Sequence, residues 1–150
     1  TLAKVILGAY KQDEGDVFFE GEKMVVSGTK DAIAKGIVAV YQEFTLVPYL
    51  NVAQNIFLNR EHKTKFGLID HKKMEEEAKA LLKALNCEYI NVKSPVKKLS
   101  VAEQQMVEIA KALSYRPRVI IFDEPTSALS EREAESLFNQ IRKRKKKVSV

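Results

Sequence analysis

Val119-Ile120-Ile121-Phe122-Asp123-Glu124-Pro125 is the stretch on which the fold turns. Its four apolar residues, β-branched or aromatic and without polar alternation, read as a short strand covered on both faces, the pattern of a parallel sheet. Pro125 has no amide proton for a central ladder, so the strand is expected to stop at the acids. Asp123 and Glu124 then stand at the carboxyl end of a core strand, where open α/β sheets hold their ligands. Adjacent carboxylates are costly there unless a cation or a reaction uses them. An acidic turn closing a strand is the plainer reading of the same residues.

Upstream, Gly36 punctuates the chain before a second continuous apolar run, Ile37-Val38-Ala39-Val40-Tyr41, and Gln42 follows it. Two strand ends can therefore offer polar groups to one crevice. Residues 43–118 between them carry mainly helical periodicity. Asn51 reads as the cap of a helix carrying Val52, Asn55, Ile56 and Leu58. Asp70 caps a second, in which Met74, Ala78, Leu81, Leu82 and Leu85 recur at helical spacing. Ser100 opens a third that buries Met106, Ile109, Ala110 and Leu113. Residues 2–10 read as a helix with Leu2, Val5 and Ile6 on its apolar face. Residues 16–20 and 23–26 read as short strands around Gly21, and Ala134, Leu137, Phe138 and Ile141 mark a terminal amphipathic helix.

Composition narrows the function classes. The 150 residues are 45% hydrophobic, enough for one ordinary domain. No apolar run approaches the roughly 18 residues that span a bilayer, and no signal-peptide pattern opens the chain. The single cysteine, Cys87, excludes an internal disulfide, fits a reducing compartment and reads as a packing residue on a helix. The net charge of +5 comes from one run, Arg142 to Lys147; without those six, 19 basic residues face 20 acidic ones. Such a run suits a solvated helix end, and without interleaved aromatics it gives no reason to expect nucleic acid as a partner.

Taken together, LSVAEQQMVEIAKAL from Leu99 and VIIFDEPTSAL from Val119 resemble the ATP-binding domain of ABC-type ATPases: a signature motif, then Walker B, the adjacent glutamate and a D-loop. Gln42 stands where that family carries its Q-loop glutamine. The wider stretch YQEFTLVPYLNVAQNIFLNRE is similar to the first ATP-binding half of tandem importers of ribose- and galactose-type monosaccharides. The resemblance implies an α/β fold: a partial P-loop NTPase core of residues 1–42 and 119–150, with a mainly helical subdomain, 43–118, inserted after the Q-loop. It implies ATP and Mg²⁺ as cofactors. Asp123 and Gln42 would hold the metal largely through water, and Glu124 would be the catalytic residue that orients the attacking water. Thr1, matching the residue after the glycine loop's GKS, and Ser100 would complete the nucleotide contacts. Ser127, Ala128 and Leu129 would lie at a dimer interface. Phe44, Tyr49 and Leu50 would meet a membrane permease, although core packing also accounts for so apolar a linker.

The same resemblance implies the cytoplasmic face of the membrane as the location. It implies permease subunits and a second ATP-binding domain of the same chain as partners, with a sugar-binding protein acting indirectly. A soluble ABC protein of translation or DNA maintenance, for which the basic tail is the one hint, and a non-catalytic interaction module are the alternatives.

Several residues depart from the family pattern. Val101 and Ala102 replace the two glycines of LSGGQ, Glu103 adds a negative charge at the helix start, and Ser130 replaces the aspartate that usually ends the D-loop. Ser100-x-x-Glu103 is at the same time a capping box, which needs no nucleotide. None of the six glycines has the spacing of a G-x-x-x-x-G-K-[ST] loop, and neither His62 nor His71 has the switch-histidine context. The chain, which lacks an initial methionine, is accordingly expected to be a piece of a longer protein, cut inside an element at each end. By itself it is expected not to hydrolyse ATP.

Overall fold

A computed structural model describes residues 2–10, 14–41 and 45–122. Helix α1, Leu2–Ile6, is followed by a hairpin of β1, Phe18–Phe19, and β2, Glu22–Lys23, paired antiparallel across Glu20 and Gly21. Next come α2, Thr29–Ala34, and β3, Ile37–Val40. The helical stretch comprises α3, Val52–Ile56, α4, His71–Ala84, a 3-10 turn at Val96–Lys98, and α5, Val101–Ser114. Strand β4, Val119–Phe122, closes the order.

The three expected caps all form. The Asn51 side chain accepts from the Gln54 amide (2.8 Å), and Gln54 Oε1 accepts from the Asn51 amide in return (3.0 Å). Asp70 accepts from the Lys73 amide (3.0 Å), and Ser100 caps α5. Helix ends were harder to read. The helix expected over 2–10 stops at Ile6 because Gly8 adopts a left-handed φ of 69°. Its amide reaches Val5 O and that of Ala9 reaches back to Lys4 O, a Schellman closure. Asn86 ends α4 in the same way, so Cys87, expected on a helix, sits just past one; it is buried, its amide donating to Leu82 O. Helix α2 was not anticipated from the sequence.

β3 and β4 pair parallel and in register, Ile37 against Val119 through Val40 against Phe122. Their alternating side chains divide between two hydrophobic clusters. Val38, Val40, Ile120 and Phe122 join the cluster built by α3, α4 and α5. Ile37, Ala39 and Ile121 join a smaller one with Leu7, Met24 and Ala32. Both faces thus carry apolar side chains into a cluster, which is why neither strand alternates polar with apolar residues. β4 is less buried than expected: Val119 is 37% exposed and the next three residues are half-buried. Among the described residues only β3 flanks it. Helix α5 touches α3, α4 and β3. It therefore buries Gln105, Val107, Glu108 and Ala112 besides its expected apolar face.

Candidate functional site

The register of β3 and β4 builds the site. Val40 and Phe122 lie opposite one another at the carboxyl ends of adjacent parallel strands. Gln42 follows two residues beyond the first and Asp123 one residue beyond the second. The two described strands thus end side by side at their carboxyl edge, where parallel sheets bind ligands. Thr1, Gln42, Phe44, Asp123, Glu124, Ser127, Ala128 and Leu129, together with the terminal helix and the basic run, lie outside the described residues.

Ser100 is described, and its surroundings are those of the capping box. Its amide and its hydroxyl both donate to Glu103 Oε2 at 2.8 Å, while its Oγ accepts from the Glu103 amide at 3.3 Å. Gln104 Nε2 caps the preceding carbonyl, Leu99 O, at 3.0 Å. At the start of α5, Ser100 and Val101 are exposed, Val101 58% accessible, and the next three residues are half-buried. A helix start of this kind attracts anions, and here an internal carboxylate already takes the serine's donors. A phosphate reaching Ser100 would have to displace Glu103 from it.

Tyr49 and Leu50 sit on a turn held from two sides. Asn55, fully buried on α3, accepts from the Val47 amide (2.7 Å) and gives its Nδ2 to the carbonyls of Val47, Leu50 and Asn51, each at 3.1 Å. From the other side the amides of Val96 and Lys97 donate to Leu50 O and Pro48 O. The sequence had marked Asn55 only as a residue of the helix; its role as the anchor of this turn needed the contacts. The turn presents Tyr49 78% exposed, with Lys97 Nζ 4.6 Å from its ring centroid. Beside it, a pocket of about 100 Å³ is lined by Leu50, Gln54, Leu58, Ile69 and Met74 among others.

Among the described residues, no group of three or more His, Cys, Asp or Glu is placed to hold a metal, and no helix is long and apolar enough to cross a membrane.

Comparison with known proteins agrees with this geometry. Residues 1–127 match the family model described as ABC transporter. A ribose import ATP-binding protein of Streptomyces avermitilis is 49% identical over 142 residues, 95% of this chain and 27% of that protein. A putative ribose/galactose/methyl galactoside import ATP-binding protein of Burkholderia cenocepacia is 46% identical over the same length and coverage. The chain spans about a quarter of the length of these curated relatives. Among solved structures, an ATP-binding cassette of an ABC transporter superposes with a TM-score of 0.79 at 26% identity, covering 98% of this chain and 61% of that one. Another cassette, solved as a dimer in a post-hydrolysis state bound to ADP and Pi, gives a TM-score of 0.75 at 26% identity, covering 95% and 62%. The fold is therefore the α/β fold of ABC ATPase cassettes. With residues 1–127 of its 150 matched by that family model, the chain belongs to the ABC transporter family.

Proposed function

We propose that this chain is part of the ATP-hydrolysing, energy-coupling subunit of an importer for simple sugars of the ribose and galactose type. The observation that carries the reading is the in-register parallel pairing that ends at Val40 and Phe122, in an ABC-family chain whose similar relatives are named as sugar import ATP-binding proteins. In this reading residues 1–42 and 119–150 belong to the nucleotide-binding core, and 43–118 form the helical subdomain.

The residue types fit a magnesium nucleotide: a carboxylate and a neutral amide oxygen, following in sequence the ends of two paired strands, are the hard oxygen ligands that ion takes beside water. Bound magnesium supplies charge neutralisation across the phosphates. Asp123 and Gln42 would hold that ion largely through water, and Thr1 would contribute to nucleotide binding. Glu124 orients the attacking water and accepts its proton. Ser100 meets the nucleotide of a second ATP-binding domain across an interface that Ser127, Ala128 and Leu129 line. Phe44, Tyr49 and Leu50 receive the permease, so the segment that follows the γ-phosphate-sensing Gln42 also carries the docking turn. The subunit then works at the cytoplasmic face of the membrane, with a sugar-binding protein acting through the permease.

The test uses the full-length protein with its permease in vesicles. Glu124→Gln is expected to keep ATP affinity within about twofold while lowering turnover by roughly 10²-fold or more and stopping sugar uptake. Undiminished turnover in that variant would refute the assignment.

A further inference from the structure

We propose that Glu108 is a positioning residue: with Lys111 it clamps Thr45 to α5, so that the segment just after Gln42 and the helix headed by Ser100 move as one unit. The inference rests on the ATPase reading above.

Glu108 is 8% exposed, and its Oε1 accepts both the backbone amide and the hydroxyl of Thr45, the latter at 2.9 Å. Lys111, one helical turn further on, donates its Nζ to the same hydroxyl oxygen at 2.9 Å and reaches Thr45 O at 3.4 Å. Every polar group of Thr45 is thus tied to α5, across a sequence separation of 63 to 66 residues. The hydroxyl donates to the carboxylate and accepts from the ammonium, which a side chain without both capacities cannot do.

A helix that needed only to pack would not bury a carboxylate, because its desolvation has to be offset by charged hydrogen bonds. Nor does packing alone hold Thr45 in place. A cavity of about 150 Å³ opens beside the clamp, bounded by Tyr41, Thr45, Glu108, Lys111 and Tyr115 among others. Thr45 lies three residues after Gln42, and α5 runs without a break from Ser100 past Lys111. The clamp therefore sets the distance between two elements that in the proposed reaction contact nucleotide from different sides. Small misplacements of such elements cost turnover more than affinity.

In the full-length protein, Thr45→Val is expected to lower kcat about tenfold with KM for ATP within about twofold, and Thr45→Ser to restore it to within about twofold. Glu108→Ala should behave like Thr45→Val, and Glu108→Gln, which keeps an acceptor oxygen, should fall between. Hydrogen exchange at the Thr45 amide should quicken in Glu108→Ala without nucleotide, while thermal midpoints stay close to wild type. Wild-type kcat in both Thr45→Val and Glu108→Ala overturns the proposal, as does a loss that tracks thermal stability and is not rescued by Thr45→Ser. A wild-type protein without ATP turnover refutes the ATPase reading instead, and faster Thr45 amide exchange in Glu108→Ala still registers the clamp.

Discussion

Replacing Asn55 by leucine, which has nearly its shape, separates the anchoring of the Tyr49 turn from its packing. The amide makes four hydrogen bonds, yet most of its partners have a second one. Leu50 O also accepts from the Val96 amide, Val47 O from the Leu50 amide, and Asn51 O from the Asn55 backbone amide. Only the Val47 amide depends on Asn55 alone. The expected cost of Asn55→Leu is therefore that of one orphaned donor, about 2 kcal/mol, rather than four separate losses. For a domain of this size that lowers the thermal midpoint by about 4–8 °C. Asn55→Asp should be worse, about 3–5 kcal/mol, because a carboxylate oxygen would face three carbonyls in a fully buried site. Differential scanning calorimetry of the three proteins, with permease binding measured alongside, checks both. An aspartate variant milder than the leucine one, or a leucine variant within about 0.5 kcal/mol of wild type, would refute the reasoning.

Gly36→Ala should cost about 1–2 kcal/mol, since φ is +83° there and a Cβ would stand 3.2 Å from Arg118 Cγ; a neutral result in urea titration would contradict the left-handed backbone. Arg60→Lys should cost about 1–2 kcal/mol by the same assay. The guanidinium bonds Ile56 O (3.0 Å) and Ser114 Oγ (2.6 Å) and stacks 3.6 Å from the Tyr115 centroid, which an ammonium cannot reproduce. Ser100→Ala should cost about 1 kcal/mol of thermal stability through the lost cap, whereas Glu103→Gln keeps an acceptor and should cost less than about 0.5. If the charge of Glu103 opposes phosphate at α5, the glutamine variant should also raise ATP turnover roughly twofold to fivefold, measured by phosphate release.

The helices were legible because their signals are local. Asn51, Asp70 and Ser100 each cap within three residues, and Met74, Ala78 and Leu82 face inward at helical spacing to 1% exposure or less. The short hairpin around Gly21 was legible for the same reason. Helix α2 was not: its six residues, TKDAIA, follow a glycine that gives no side-chain cap, and they bury only Ala32. The end of α1 was missed because Gly8 was not read as a left-handed terminator.

Order and residue type along the chain were enough to identify the carboxylate pair, the glutamine after a strand and the capped serine, since each belongs to a motif spanning a few residues. Their arrangement was not, because it depends on pairings between distant segments. Only the tertiary structure put Val40 opposite Phe122, set Asn55 under the Tyr49 turn and joined Thr45 to Glu108 and Lys111. A hydrogen bond across 63 residues leaves no periodicity in a sequence; it exists because β3 and α5 pack against each other, and packing is a property of the folded chain.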